Sequence, residues 1–340
     1  VRAIAYTRSG GPEVLELTDR PLPEPGPGEV RVRVHYSGVN PTDWKAREAG
    51  GPGQPLKFAS VVPHQDGSGV VDRSGSGTSL EPGQRVWLWE AAWQRADGTA
   101  QEHVVLPERQ AVPLPDSAGL TLGASLGIPA MTAHRCLTLG DGLPGRLAPG
   151  ALDGRTVLVQ GGAGAVGNAA IQLARWAGAR VLTTVSSPQK ARLASAAGAH
   201  ETVDYRRHDA ATLLRTLAPE GVDTVVEVAP AANAALDRAV LARHATVAIY
   251  ANDGGNELAL PAPELLSSNS RWQFVLVYTM PEAAKLDAVA AIGAAVADGA
   301  LQAGEHAGLP LHVFPLAATA QAHEAVRNGT VGKVLVDVNA

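Results

Sequence analysis

The chain has 340 residues, enough for about two domains, and its 45% hydrophobic and 18% charged residues suit a globular protein with a large core. A net charge of −5 with no Lys/Arg run argues against nucleic acid or an anionic membrane as partner. The single cysteine, Cys136, excludes an internal disulfide and a Cys-rich structural zinc site. No apolar stretch is long enough to span a membrane, and the single cysteine is compatible with the cytoplasm, the expected location.

Residues 1–6 read as a strand and lack the apolar run of a signal peptide. Residues 1–125 are rich in Gly and Pro, with strand-like runs at 30–36, 69–72, 85–89 and 102–106. Pro21, Pro23, Pro25 and Pro27 mark a linker between strands. Strict apolar/polar alternation over 30–36 buries one face and wets the other, which predicts antiparallel β structure. A helix follows over 121–139, in which Cys136 reads as a small core residue, and then a loop over 142–153.

Apolar strands at 156–160, 180–185, 201–204, 222–228, 246–250 and 273–277 then alternate with helices. This pattern predicts an α/β, doubly wound parallel sheet of about six strands. A helix at 281–299, a strand at 311–314, a helix at 318–328 and a strand at 333–338 complete the chain. The expected division is a first domain over 1–125, completed by 281–340, and a dinucleotide-binding domain over 126–280.

The first of those six strands runs into Gly161-Gly162-Ala163-Gly164-Ala165-Val166-Gly167 and then an apolar helix. Between a strand and a helix, the G-x-G-x-x-G spacing of Gly162, Gly164 and Gly167 marks a dinucleotide site. The first glycine is expected to allow the tight turn, the second to admit the pyrophosphate to the backbone, and the third to let helix and strand pack. The helix N-terminus would face the phosphates.

NAD sites place an acid about twenty residues further on, to accept from the ribose 2′-OH. Here the second strand ends in Ser186-Ser187-Pro188-Gln189-Lys190, with no acid. Hydroxyls and a lysine would welcome a 2′-phosphate, as would Arg192 if it faces inward, so NADP(H) is favoured. A solvated Lys190 and an N-cap role for Ser187 are the plainer readings.

Several segments together are similar to the medium-chain dehydrogenase/reductase superfamily, in its zinc-free, zeta-crystallin-like quinone oxidoreductase branch. They are Gly10-Gly-Pro-Glu-Val-Leu15, Gly38-Val-Asn-Pro-Thr-Asp43, Pro63-His-Gln-Asp-Gly-Ser-Gly69, Leu126-Gly-Ile-Pro-Ala-Met-Thr-Ala133, the glycine motif and Gly332-Lys-Val334. The resemblance covers nearly the whole chain. It implies a GroES-like antiparallel β domain, a Rossmann domain and NADPH in the cleft between them.

In the alcohol-dehydrogenase branch a catalytic zinc takes Cys, His and Cys. The matching positions here are Asn40, Gln65 and Ile128, so no zinc is expected. His64, beside the second position, reads as a loop histidine. Without a Lewis acid, the expected reaction is hydride transfer to an acceptor that is already electrophilic, a quinone or similar activated carbonyl. The alternatives are enoyl reduction of an α,β-unsaturated C=C bond and a non-catalytic NADPH-binding sensor. Tyr36 and Lys45, besides water, are candidate proton donors, and Asn40 is the third catalytic candidate.

The resemblance adds cofactor contacts. Asn40 and Thr132 match positions near the nicotinamide ribose, and Tyr205 one near the adenosine phosphate. Ala229 and Tyr250 end the fourth and fifth strands, where Rossmann ligands sit. Leu276 and Val277 match a sixth-strand segment that meets the carboxamide. Lys333 matches a residue that closes over the nicotinamide end; the plainer reading is a solvated lysine. Lys45 stands where quinone-active members often carry a tyrosine. Trp87, Trp89 and Trp93 lie near the expected cleft, with the first two read as core. A homodimer through the sixth strand, over 271–279, is also implied.

Overall fold

The structure, a computed structural model, describes residues 1–51 and 53–340. Val1–Ile128 and Pro310–Ala340 form one compact unit, and Pro129–Leu309 a second.

In the first unit β1 (Arg2–Ala5) pairs with β2 (Glu16–Asp19). Then come β3 (Glu29–Val39), α1 (Pro41–Glu48), β4 (Asp66–Ser74), β5 (Arg85–Leu88), β6 (His103–Pro107) and β7 (Ala111–Pro113). Alternation on β3 sends Val30, Val32 and Val34, each 0% exposed, into a core with Val104, Leu106, Val334 and Val336. Burying each such side chain is worth about 1.5–3 kcal/mol. Trp87 and Trp89 lie in the interior, as read from the sequence.

Helix α2 (Leu120–Leu137) carries the chain into the second unit. There β8 (Thr156–Gln160), α3 (Ala165–Trp176), β9 (Arg180–Val185), α4 (Pro188–Ala196), β10 (Glu201–Asp204), α5 (Ala210–Leu217), β11 (Val222–Glu227), α6 (Pro230–Val240), β12 (Leu241–Ile249), α7 (Ala262–Ser268) and β13 (Arg271–Phe274) alternate. The six strands are parallel, in the order β10-β9-β8-β11-β12-β13. This is the doubly wound order 3-2-1-4-5-6, with its switch point between the first and fourth strands.

Three expected boundaries move. β12 begins at Leu241, because a register shift beside Val222 and the left-handed His244 (φ 63°) let a polar stretch join the sheet. β13 ends at Phe274, and Val277–Thr279 is a 3-10 turn, so Leu276 and Val277 lie beyond the strand. The chain returns to the first unit at Pro310, not at 281. Helix α8 (Glu282–Ala297) stays with the second unit. Arg146–Asp287 and Trp176–Asp298 contacts hold it, and Gln172 binds Gln302 beyond it.

The tail then supplies β14 (Leu311–Pro315), α9 (Thr319–Arg327) and β15 (Lys333–Asp337). The first unit's seven-stranded sheet runs β14-β15-β3-β4-β5-β7, with β6 also on β3. Its pairings are antiparallel except β14–β15, where α9 makes the crossover that parallel neighbours require. Among the described residues no helix is long and apolar enough to cross a membrane.

Candidate active site

The glycine turn leaves β8 at the switch point, and its glycines divide the work differently from the expected scheme. The left-handed turn residue is Gly161 (φ 70°), not Gly162. A Cβ on Gly162 would fall 2.2 Å from Thr183 Oγ1, and one on Gly167 2.4 Å from the Gly161 carbonyl. Both glycines are therefore required by packing. A Cβ on Gly164 would meet only the Gly161 carbonyl, at 3.5 Å. Nothing in the fold demands that this Cβ be missing, and its absence opens the backbone ahead of α3. The first bond of α3 runs from Asn168 N to the Gly164 carbonyl, so the amides of Ala165, Val166 and Gly167 precede the helical ladder. Free amides at a helix N-terminus can cradle an anion, and Ala163 beside them is buried.

At the end of β9, Lys190 Nζ donates to Ser186 Oγ at 3.0 Å. Ser187 caps α4, accepting from Lys190 N at 3.3 Å. Tyr205 N donates to the Val185 carbonyl, which brings the exposed tyrosine to the same strand end. The fold thus gathers Ser186, Ser187, Lys190 and Tyr205, while Arg192 faces solvent.

Behind the turn lies a polar seam that sequence reading missed. Glu227, the last residue of β11, accepts from Ala229 N and from Asn233 Nδ2. Asp237 on α6 neighbours Glu227 and accepts from Gln160 Nε2 at 2.8 Å. Burial first, then the neighbouring Glu227, pushes the Asp237 carboxyl well above the usual carboxylate range. Burial and the neighbouring acid thus favour the neutral form of Asp237. Thr184 Oγ1 donates to Gln160 Oε1, which ties the seam to β9.

Tyr250 and Leu276 line a cavity of about 590 Å³ with Pro230, Asn252, Phe274 and Thr279. Val277 is buried beside it, and Thr132 is buried within α2. Burial pushes the Cys136 thiol up to about 12, so it is no nucleophile at neutral pH.

The first unit holds the densest polar cluster. The side chain of Asn40, the N-cap of α1, donates to Asp66 Oδ2 at 2.7 Å and accepts from Lys333 Nζ at 2.6 Å. The ammonium also lies 3.5 Å from Asp66 Oδ2. Ile128 N donates to Asp66 Oδ1 at 2.8 Å, and Asn40 N to Asp43 Oδ2 at 2.7 Å. Lys333 is 1% exposed, which rules out the solvated reading. Burial drives Asp66 up and Lys333 down, and their opposite charges pull both back. Burial also pushes Asp43 up to about 8.

Of the proton-donor candidates, Lys45 does not join this cluster: it is exposed, with its ammonium 5.7 Å from the Trp44 ring centroid. Tyr36 is half-buried on β3. Asp43 and Asp66 were not singled out from the sequence. For Asp66 the available signal was an acid heading the Gly-rich start of a strand, Asp66-Gly-Ser-Gly-Val-Val71.

Comparison with known proteins agrees with this architecture. Residues 26–116 match the alcohol dehydrogenase GroES-like domain, and residues 165–296 the family described as zinc-binding dehydrogenase. A quinone oxidoreductase from Rattus norvegicus is 30% identical across 99% of this chain and 97% of that protein. The chain belongs to the zeta-crystallin-like quinone oxidoreductase branch of the medium-chain dehydrogenase/reductase superfamily. It is therefore an oxidoreductase.

Among solved structures, an NAD-dependent alcohol dehydrogenase superposes with a TM-score of 0.83 at 31% identity, covering 99% of this chain and 100% of that one. A mycobacterial protein complexed with NADPH gives 0.79 at 27% identity, covering 99% of both chains. The three positions expected to match the zinc ligands of the alcohol-dehydrogenase branch have other bonding in this chain. Asn40 is engaged by Asp66 and Lys333, Gln65 Oε1 accepts from Ala92 N, and Ile128 offers its backbone amide to Asp66. Among the described residues no group of three or more His, Cys, Asp or Glu is arranged to hold a metal.

Proposed function

We propose that this protein is a zinc-independent, NADPH-dependent reductase that passes hydride to a quinone or similar activated carbonyl. The observation that carries the cofactor choice is the Lys190–Ser186 pair at the end of β9, where an NAD site would place an acid. A bound NADPH supplies a hydride with its electron pair, and a quinone that takes this hydride and one proton becomes a hydroquinone.

The open backbone at Gly164 and the amides of Ala165, Val166 and Gly167 receive the pyrophosphate, while Lys190, Ser186, Ser187 and Tyr205 hold the 2′-phosphate end. Thr132, Ala229, Tyr250, Leu276 and Val277 are assigned to the cofactor as the family resemblance implies. Asn40 is assigned to the nicotinamide ribose, and Lys333 fixes its carboxamide side chain from behind. The donor set of Asn40, Gln65 and Ile128 offers neither thiolate nor imidazole, so the acceptor must bring its own electrophilicity.

Stopped-flow oxidation of NADPH against a panel of quinones and enones tests this reading. Quinone turnover is expected. Turnover of enones alone would replace it with enoyl reduction, and tight NADPH binding with no turnover would replace it with a sensor.

We also assign β13 as a homodimer seam, since it is a sheet edge carrying Phe274 at 65% exposure. Sedimentation should give a dimer at micromolar concentration, and a monomer would contradict the assignment.

A further inference from the structure

Five buried residues of the first unit connect α9 to the start of β4. Arg47 Nη1 lies 2.8 Å from His323 Nδ1, and His323 Nε2 lies 2.8 Å from His64 Nε2. His64 Nδ1 lies 2.7 Å from Ser37 Oγ, and Ser37 Oγ 2.6 Å from Thr99 Oγ1. Thr99 Oγ1 donates to the Asp66 carbonyl at 2.6 Å. The two rings stack with centroids 5.0 Å apart.

Both ends of this series fix its direction. A guanidinium only donates, so His323 Nδ1 accepts and its proton sits on Nε2. His323 then donates to His64 Nε2, which places the His64 proton on Nδ1, directed at Ser37. At the far end a carbonyl only accepts, so Thr99 must spend its proton on Asp66 and accept from Ser37. The two deductions meet without conflict, and every donor points from Arg47 towards Asp66.

Each ring needs one bare nitrogen, so each is neutral. Burial first holds both imidazoles below their ordinary range, with the facing ring, Lys333 and Arg47 adding to His64, and Arg47 adding to His323. Arg47 is itself anchored by the Gly10 carbonyl and by Glu48, which also binds Arg327.

The series is held at a cost. His64 adopts φ 81°, a left-handed conformation uncommon for a residue with a side chain. Its carbonyl accepts from Thr99 N, so the loop carrying Thr99 binds this histidine twice over, by backbone and through Ser37. The residue at the end of the series is Asp66, whose side chain holds Asn40, Lys333 and the Ile128 amide.

We infer that Arg47, His323, His64, Ser37 and Thr99 form a one-way hydrogen-bonded chain that positions Asp66, and through it Asn40 and Lys333, for hydride transfer. These are positioning residues, and their role in turnover rests on the reductase reading above.

Two measurements test the inference separately from that reading. Long-range ¹H–¹⁵N spectra of histidine-labelled wild-type protein at pH 7 should show His323 protonated at Nε2 alone and His64 at Nδ1 alone. A doubly protonated ring, or tautomers averaged by exchange, would overturn the chain whatever the enzyme reduces.

The second measurement compares Thr99→Val with Thr99→Ser, using NADPH and 1,4-benzoquinone. Thr99→Val should lower kcat about tenfold, with KM for NADPH within about twofold, and Thr99→Ser should restore kcat. In the same samples the Asn40 side-chain amide resonances should move in Thr99→Val and not in Thr99→Ser, a readout that needs no turnover. Unmoved Asn40 resonances, or equal kcat in the two variants, would overturn the positioning role. If Thr99→Val does not fold, the wild-type tautomers still decide whether the chain exists.

Discussion

The two units each bury carboxylates at a strand end, and they neutralise them by different means. In the first unit Asp66 meets an ammonium, that of Lys333. In the second, Glu227 neighbours another acid, Asp237, whose carboxyl is pushed by burial and by Glu227 towards its protonated form. A charge in a low-dielectric interior must be compensated, but the compensation can be a side chain or a single proton. In the first the compensating charge is a side chain held in place by Asn40, whereas the second depends on a proton.

The comparison breaks most visibly at Lys333. Lys333→Met leaves Asp66 buried without its cation and should cost about 3–5 kcal/mol in denaturant unfolding. Adding Asp66→Asn should recover a large part of the loss. A single variant as stable as wild type would show that the ammonium does not compensate Asp66.

In the second unit the two acids should respond unequally. Glu227→Gln keeps one oxygen for the Ala229 and Asn233 N–H groups but replaces the second, which Asn233 Nδ2 also approaches, by a donor, and should cost about 1–3 kcal/mol. Asp237→Asn mimics the protonated acid and should be harmless near pH 4. The sign for Asp237 follows from its raised pKa. The folded protein keeps a proton that the unfolded chain releases above the ordinary carboxylate pKa, so wild-type stability falls as pH rises through that range, by about 1.4 kcal/mol per pH unit. Asp237→Asn lacks this loss and should gain on wild type as pH rises towards neutrality. A constant difference between the two proteins from pH 4 to 7 would mean that Asp237 is ionised in the fold.

A smaller effect sharpens the cofactor end of the second unit. Lys190→Ala should weaken NADPH binding about tenfold, a change of about 1.4 kcal/mol, and NADH binding by less than about twofold, measured by fluorescence titration. Equal losses for the two cofactors would mean that Lys190 meets no 2′-phosphate.

The parts of this molecule that were legible in its sequence are those specified locally. The strands 156–160 and 180–185 are legible to the residue because largely apolar, β-branched runs before Gly or Ser announce buried parallel strands, and 201–204 follows from the alternation of strand and helix. The glycine turn was legible for the same reason, although only the backbone showed that Gly161 makes the turn and that Gly164 leaves the space. Exposed β2 escaped notice, as its largely exposed side chains leave no apolar signature. β13 was read too long because the apolar run through Val275, Leu276 and Val277 continues past the point where the chain turns away from the sheet.

The polar clusters were the least legible part. Lys333 carried the same Gly-Lys context whether solvated or buried, and only the return of β15 alongside β3 set it against Asn40 and Asp66. His64 could be assigned to a loop, but its partner His323 arrives on α9 from the far end of the chain. Such pairings are products of topology, and no local periodicity encodes them.

The central claim is hydride transfer from NADPH to an activated acceptor without a metal. It is tested most directly by dialysing the protein against a chelator, verifying its zinc content by metal analysis, and following NADPH oxidation by 1,4-benzoquinone. The account predicts full turnover with far less than one zinc per chain. Activity that disappears with the metal and returns on adding stoichiometric zinc would contradict it.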